Sequence, residues 1–233
     1  MADFLVEKFS LFSFFRCVLC ICIFAFFCVK AKAQEDNPHH NVGLTAALTS
    51  GDTWQLEASY HWLPVPYVGI GSGIGFWKQF SSACVPSGKY WKVNEDYQEL
   101  SDLYFHPSIL LISPTIIKKE DFSVHMTAET GLIMNIPYDK ACIDICKDEY
   151  YIPYEQKYIS NKRGNWCFYD IRVGIAIKID PLMITVGYIF SNLDVLDVFA
   201  MRKNMKYDNT LLGNFYPKAE KIHGSYVTIS FAF

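Results

Sequence analysis

Beyond Val29 the chain has no apolar run long enough to cross a bilayer as a helix, which takes about 20 residues. That excludes a helical membrane protein. Positive charge is scarce: 21 Lys and Arg stand against 24 Asp and Glu, for a net charge of −3 at neutral pH. With no basic stripe, nucleic acid is excluded as a partner. No histidine accompanies the closest pair of cysteines after Val29, Cys142-Ile143-Asp144-Ile145-Cys146. Without one the pair is a poor zinc site, and no metal or other cofactor is expected. The roughly two hundred residues after the first apolar run are enough for one domain and too few for two.

The amino-terminus has the layout of a secretory signal. Lys8 and Arg16 precede an unbroken apolar run from Cys17 to Val29. Ala31-Lys32-Ala33 then offers small residues where a signal peptidase needs them, so residues 1–33 are expected to be cleaved and Gln34 to begin the mature chain. As a helix the run would span only about 20 Å, short of the hydrocarbon core. Removing residues 1–33 leaves 17 basic against 22 acidic residues.

Aromatics are plentiful, with 18 Phe, 15 Tyr and 5 Trp. Abundant aromatics without a spanning helix suit a membrane barrel, which gathers them in two interfacial girdles. Eight segments alternate with period two: residues 41–49, 52–62, 66–78, 103–116, 121–135, 166–179, 182–191 and 224–233. The fourth fits least well, because Pro107 and Pro114 interrupt it. Most have the 9–11 residues that a tilted strand needs to cross a bilayer. Apart from Ser50-Gly51, short connections (63–65, 117–120, 180–181) alternate with long ones (79–102, 136–165, 192–223). Within the strands, Glu57, Glu129, Asp170 and Arg172 all lie opposite the Ile, Val, Leu and Phe rows. A Lys or Arg on a lipid face costs about 2–4 kcal/mol at the midplane, so the apolar rows are expected to face outwards. Periodicity alone also allows the opposite case, a soluble lipocalin-like barrel that hides its apolar row around a ligand.

In the last segment Val227, Ile229, Phe231 and Phe233 share a face, and the chain stops on an aromatic residue. Such an end resembles the closing strand of bacterial outer-membrane β-barrels, which their assembly machinery reads. With the eight segments and the alternating turns, residues 41–233 resemble the small barrels of the OmpA and OmpX kind, and in particular the single-domain barrels of Bacteroidota. The resemblance implies an eight-stranded antiparallel up-and-down transmembrane β-barrel in the outer membrane. It further implies a short periplasmic segment at 34–40, long loops outside the cell, surrounding lipid and lipopolysaccharide, and the barrel-assembly machinery as a partner. It implies no activity.

Eight strands enclose a space that side chains can fill. Glu57, His61, His125, Glu129, Asp170, Arg172 and Lys178, with Tyr226, are expected there, either as an ion or proton path or as a structural network in which Arg172 and Lys178 neutralise the carboxylates. The glycines at 69, 71, 73 and 75 either line a ligand cavity or make room for larger neighbours. Cys84, Cys142, Cys146 and Cys167 all fall in or beside the long loops. Because the envelope permits disulfides, they are candidates to staple these loops, in any of three pairings. His106 and Ser108 have the His-x-Ser spacing used by lipid A deacylases that resemble this barrel, which makes such an enzyme the alternative function. The main expectation is a non-enzymatic surface or envelope protein that meets an extracellular or envelope partner through its loops. Those loops hold Tyr90, Trp91, Tyr97, Tyr150, Tyr151, Tyr154, Tyr158, Phe199, Met201, Met205, Tyr207 and Phe215, with Arg202, Lys203 and Lys206 among them. Such aromatics either form a contact surface or pack on one another.

Overall fold

A computed structural model of the chain describes residues 39–50, 53–79, 85–94, 103–136, 139–147, 152–198, 200–201, 203–215 and 221–233. The predicted signal segment 1–33 and residues 34–38 lie outside them. The described elements run β1 (His40–Thr49), β2 (Thr53–Val65), β3 (Val68–Gln79), β4 (Ser87–Gly88), β5 (Trp91–Val93), β6 (Leu103–Ile112), β7 (Ile117–Lys118), β8 (Ser123–Asn135), β9 (Lys140–Cys146), β10 (Pro153–Ser160), β11 (Cys167–Ile179) and β12 (Leu182–Ser191). After these come helix α1 (Val195–Val198), β13 (Lys206–Tyr207), β14 (Thr210–Leu211), a 3-10 turn (Leu212–Phe215) and β15 (Ile222–Ala232).

Strands β1, β2, β3, β6, β8, β11, β12 and β15 pair antiparallel with their neighbours in chain order, and β15 pairs back onto β1. The ring is therefore closed. Thr45 opposes Thr228 at the seam, and their hydroxyls are 2.8 Å apart. At its end, the Phe233 carbonyl accepts from the amides of His39 (3.0 Å) and His40 (2.8 Å).

The orientation of the rows decides what solvent this ring suits. Val227, Ile229, Phe231 and Phe233 point out of the barrel and are 44–65% exposed. Val42, Leu44 and Leu48, Ile70 and Ile74, Val173, Ile175 and Ile177, and Ile184, Val186 and Phe190 do the same on neighbouring strands. Glu57, His61, Asp170 and Arg172 are each at most 2% exposed, inside. A soluble ligand-binding barrel needs the reverse, so that alternative is corrected: this is an eight-stranded antiparallel transmembrane β-barrel. Strands of 10–13 residues suffice for an apolar band about 25 Å tall. No described helix is long and apolar enough to cross a membrane. Aromatic contacts mark both rims, with His40, Tyr60 and Phe233 at the terminus end and Trp54, Phe76, Tyr188, Phe190 and His223 at the loop end.

Some strand ends differ from the sequence reading. The fourth barrel strand stops at Ile112, not at 116. Pro114 cannot donate to a ladder, and only the two-residue bridge β7 follows before β8. Pro107 sits within β6, where the register to β8 skips from Phe105 to Ser108. Strand β2 runs on to Val65, so its turn is Pro66-Tyr67 and not residues 63–65.

The long connections are not irregular. From the first and second of them, β4, β5, β9 and β10 form a four-stranded sheet, with Trp91 opposite Ile145 and Val93 opposite Ile143. The third carries α1 and the β13–β14 hairpin, which turns at Asp208 and Asn209, both at positive φ as that tight turn requires. Trp91, Val93, Ala141, Ile143, Ala200, Met205 and Leu212 pack into a core of their own. The barrel thus carries a folded cap at its loop end.

Candidate functional site

Midway along the barrel, inward side chains from four strands meet around Arg172. Its guanidinium is held in a fork by Glu57, with Nη1 to Oε1 at 3.0 Å and Nη2 to Oε2 at 2.7 Å. Its Nε donates to Asp170 Oδ2 at 2.8 Å, and Nη1 lies 3.8 Å from Glu129 Oε2. Glu57 also accepts from the Tyr104 hydroxyl at 3.0 Å, and His106 Nδ1 lies 3.2 Å from its Oε1. The other nitrogen of that ring is 3.4 Å from Asp170 Oδ2. On the terminus side, Ser108 donates to Glu129 at 2.6 Å, and His61 Nε2 lies 2.9 Å from the same hydroxyl. Three carboxylates, one guanidinium and two imidazoles thus form one contiguous network.

Glycines opposite these groups make the network possible. A Cβ on Gly73 would come within 2.8 Å of Glu57 Oε1, one on Gly75 within 2.4 Å of the Tyr104 ring, and one on Gly131 within 2.4 Å of His106 Nε2. The glycine row of the third strand therefore gives larger neighbours room.

Below the network, towards the termini, lies a cavity of about 30 Å³ bordered by His61, Glu129, Thr45, Thr127, Tyr226 and Asn41, among others. A water needs roughly 10–15 Å³ by this measure, so about two fit. His61 Nδ1, Thr127 Oγ1 and Asn41 Nδ2 are buried without a partner among the described residues, as groups that water would satisfy. Above the network Trp77, Tyr104, Ile133, Phe168 and Ile222 pack with Leu193 and Val198, from the third long connection, into one buried apolar plug. Met201 bridges this plug to the core of the cap.

The structure gathers Glu57, His61, Glu129, Asp170 and Arg172, and separates two other predicted members. Lys178 pairs with Asp180 at 3.3 Å at the terminus rim, and His125 lies between Ser123 and the Ser113 carbonyl. Lys178 therefore does not neutralise the carboxylates; Arg172 is the guanidinium among them, and His106, Ser108 and Tyr104 complete the network. His106 and Ser108 share the inward face but have different partners. Ser108 does meet a histidine, but this is His61, and Glu129 accepts from the serine while lying 3.4 Å from the same His61 Nε2, so no described carboxylate holds the far nitrogen of that ring. The ligand atoms of Glu57, His106 and Glu129 lie within 4.8 Å of one another, close enough to hold a metal. Arg172 stands among them, so a metal ion there would face a fixed positive charge at short range.

No family description matches the sequence, and no curated protein matches it. Among solved structures the chain is similar to Neisserial surface protein A, with 8% identity over 83% of this chain and 96% of that one and a TM-score of 0.42. It is also similar to the N-terminal β-barrel domain of Pseudomonas aeruginosa OprF, with 8% identity over 84% and 100% of the two chains and a score of 0.40. A third likeness is to the outer-membrane enzyme PagL, with 11% identity over 83% and 99% and a score of 0.35. Likenesses this distant carry no residue role or activity to this chain.

The loop aromatics divide between the two readings. Trp91 and Met205 are buried in the cap, with Tyr207 and Phe215 packed against them, while Tyr90, Tyr154 and Tyr158 are about half exposed. Tyr97, Tyr150, Tyr151, Phe199 and Arg202 lie outside the described residues. No disulfide joins any two of Cys142, Cys146 and Cys167. Cys142 and Cys146 sit four residues apart on one strand, roughly 13 Å by strand geometry, well beyond the reach of a bond. Cys84 lies outside the described residues. The expected loop staple is thus not among the described cysteines, and the β5–β9 pairing joins the first and second long connections.

Proposed function

We propose that this chain is an outer-membrane protein that works through its folded cap, as a non-enzymatic contact protein of the cell surface or envelope. One observation carries this reading: the described long connections put Trp91, Val93, Ile143, Leu193 and Val198 into the core of a structured cap and a plug. A barrel sealed from the loop side by Trp77, Phe168, Leu193 and Val198 is built to hold something up, not to let solutes through. The interior network supports that reading as its structural filling. On this reading, lipid and lipopolysaccharide surround the apolar band and the barrel-assembly machinery reads the end at Phe233.

The test is surface exposure. Protease added to intact cells should cut within residues 140–160 and leave the strands protected. A cap reached only after the outer membrane is breached would overturn the proposal. Mass analysis of lipid A from cells with wild-type protein and with Ser108→Ala should show the same acyl pattern; a lost acyl change in the variant would favour the enzyme.

A further inference from the structure

A closed barrel has no sheet edges, but the cap restores one. Strand β10 lies at the end of the cap sheet, hydrogen-bonded to β9 on one side. No described strand pairs with its other side. Seven of its eight residues are exposed, Ile159 being the exception. The opposite edge, β4, is only two residues long. A long exposed edge is a template for another strand, and surface proteins commonly blunt one. Here the central residues are Glu155, Gln156 and Lys157, and Glu155 has no ion-pair partner among the described residues.

Symmetry restricts how two copies of this edge can meet. Opposed residues in an antiparallel ladder alternate between hydrogen-bonded and non-bonded pairs. A two-fold axis between residues would map one kind onto the other, so the axis must pass through a residue that faces its own copy. Centred on Glu155 or Lys157, the pairing sets like charges face to face. Centred on Gln156, it sets Glu155 of each copy opposite Lys157 of the other, twice. The same register brings the exposed Tyr158 of each copy to the end of the paired stretch, where the partner strand bulges at Tyr154.

We propose that two copies of this protein join through β10, antiparallel about Gln156, with reciprocal Glu155–Lys157 pairs. This rests on reading the cap as the contact part of the protein and names its partner as a second copy. One short strand makes a small interface, so the association depends on concentration.

Charge reversal tests it on the full chain, folded in detergent and in lipid nanodiscs under reducing conditions, with mass read by sedimentation. Wild type should dimerise. Glu155→Lys and Lys157→Glu should each weaken the dimer by about tenfold or more, because each turns two attractive pairs into two repulsive ones. An equimolar mixture of the two variants should associate again, since each then meets its complement, and the double variant should do so alone. Recovery in the mixture also shows that neither variant is misfolded. A wild type monomeric at every concentration, or a dimer indifferent to both reversals, would overturn self-pairing. A monomer whose cap is still cut on intact cells would end this inference and leave the proposed function standing.

Discussion

At the scale of single residues, Arg172 matters most. It is 1% exposed and is held by Glu57 and Asp170, with Glu129 close by. Removing one partner of a buried ion pair costs about 3–5 kcal/mol, because the partners left behind are uncompensated. Arg172→Met should therefore lower barrel stability by about that much, read as the urea concentration at which the fast-migrating folded band disappears on gels. Gly131→Ala should also destabilise, because its methyl would meet both His106 and the Pro107 carbonyl, 2.5 Å away. Cys142 offers a chemical probe outside the membrane band. Burial and the Asp144 carboxylate push its thiol up, so little thiolate forms at neutral pH. Maleimide should label it far more slowly in the folded protein than after denaturation, and rapid labelling of the native state would contradict its placement.

At the scale of elements, period two in the sequence gave strand faces and left depth unresolved. Arg172 and Lys178 lie on the same face of β11, yet one sits among carboxylates and the other at the rim with Asp180. Alternation says which way a side chain points and nothing about which side chains of distant strands share its level. Glu57 meets Arg172 across 115 residues of chain, and no spacing rule reaches that far. For the same reason the cap sheet was illegible: Trp91 faces Ile145 through a pairing of distant loops. The clustering of loop aromatics was the available signal, and it fitted packing and exposure equally well. The cap's own core makes a prediction. Trp91→Ala should expose the cap to limited proteolysis while the barrel band on gels stays intact, because Trp91 belongs to the cap core, which meets the barrel's apolar cluster at Met201. Cleavage of the barrel at the same rate would refute that assignment.

At the scale of the whole molecule, the eight strands, their order and the outward row ending at Phe233 were all legible. They follow from one cost applied everywhere, that of placing charge against lipid. The plug was not, because Leu193 and Val198 look like ordinary loop residues until the mouth they fill is known. It implies that the intact protein should show no steady conductance in planar bilayers, whereas replacing both residues with Asp should admit small ions. An open wild-type pore would contradict the closed column.

The fork between Glu57 and Arg172 also bears on timing. These residues sit on β2 and β11, which are not neighbours in the ring, and they can meet only when the opposite walls of the barrel face each other. Earlier in assembly the β8–β11 pair can already set Arg172 beside Asp170 and Glu129, but Glu57 on β2 has no guanidinium until the ring closes. The fork to Glu57 is thus expected to act as a latch that forms late in closure. Bonds of that kind slow unfolding and leave the folding rate nearly unchanged. Glu57→Gln, which weakens the bond that crosses the ring, should accordingly show its defect chiefly as faster escape from the native barrel, with insertion into lipid close to the wild-type pace.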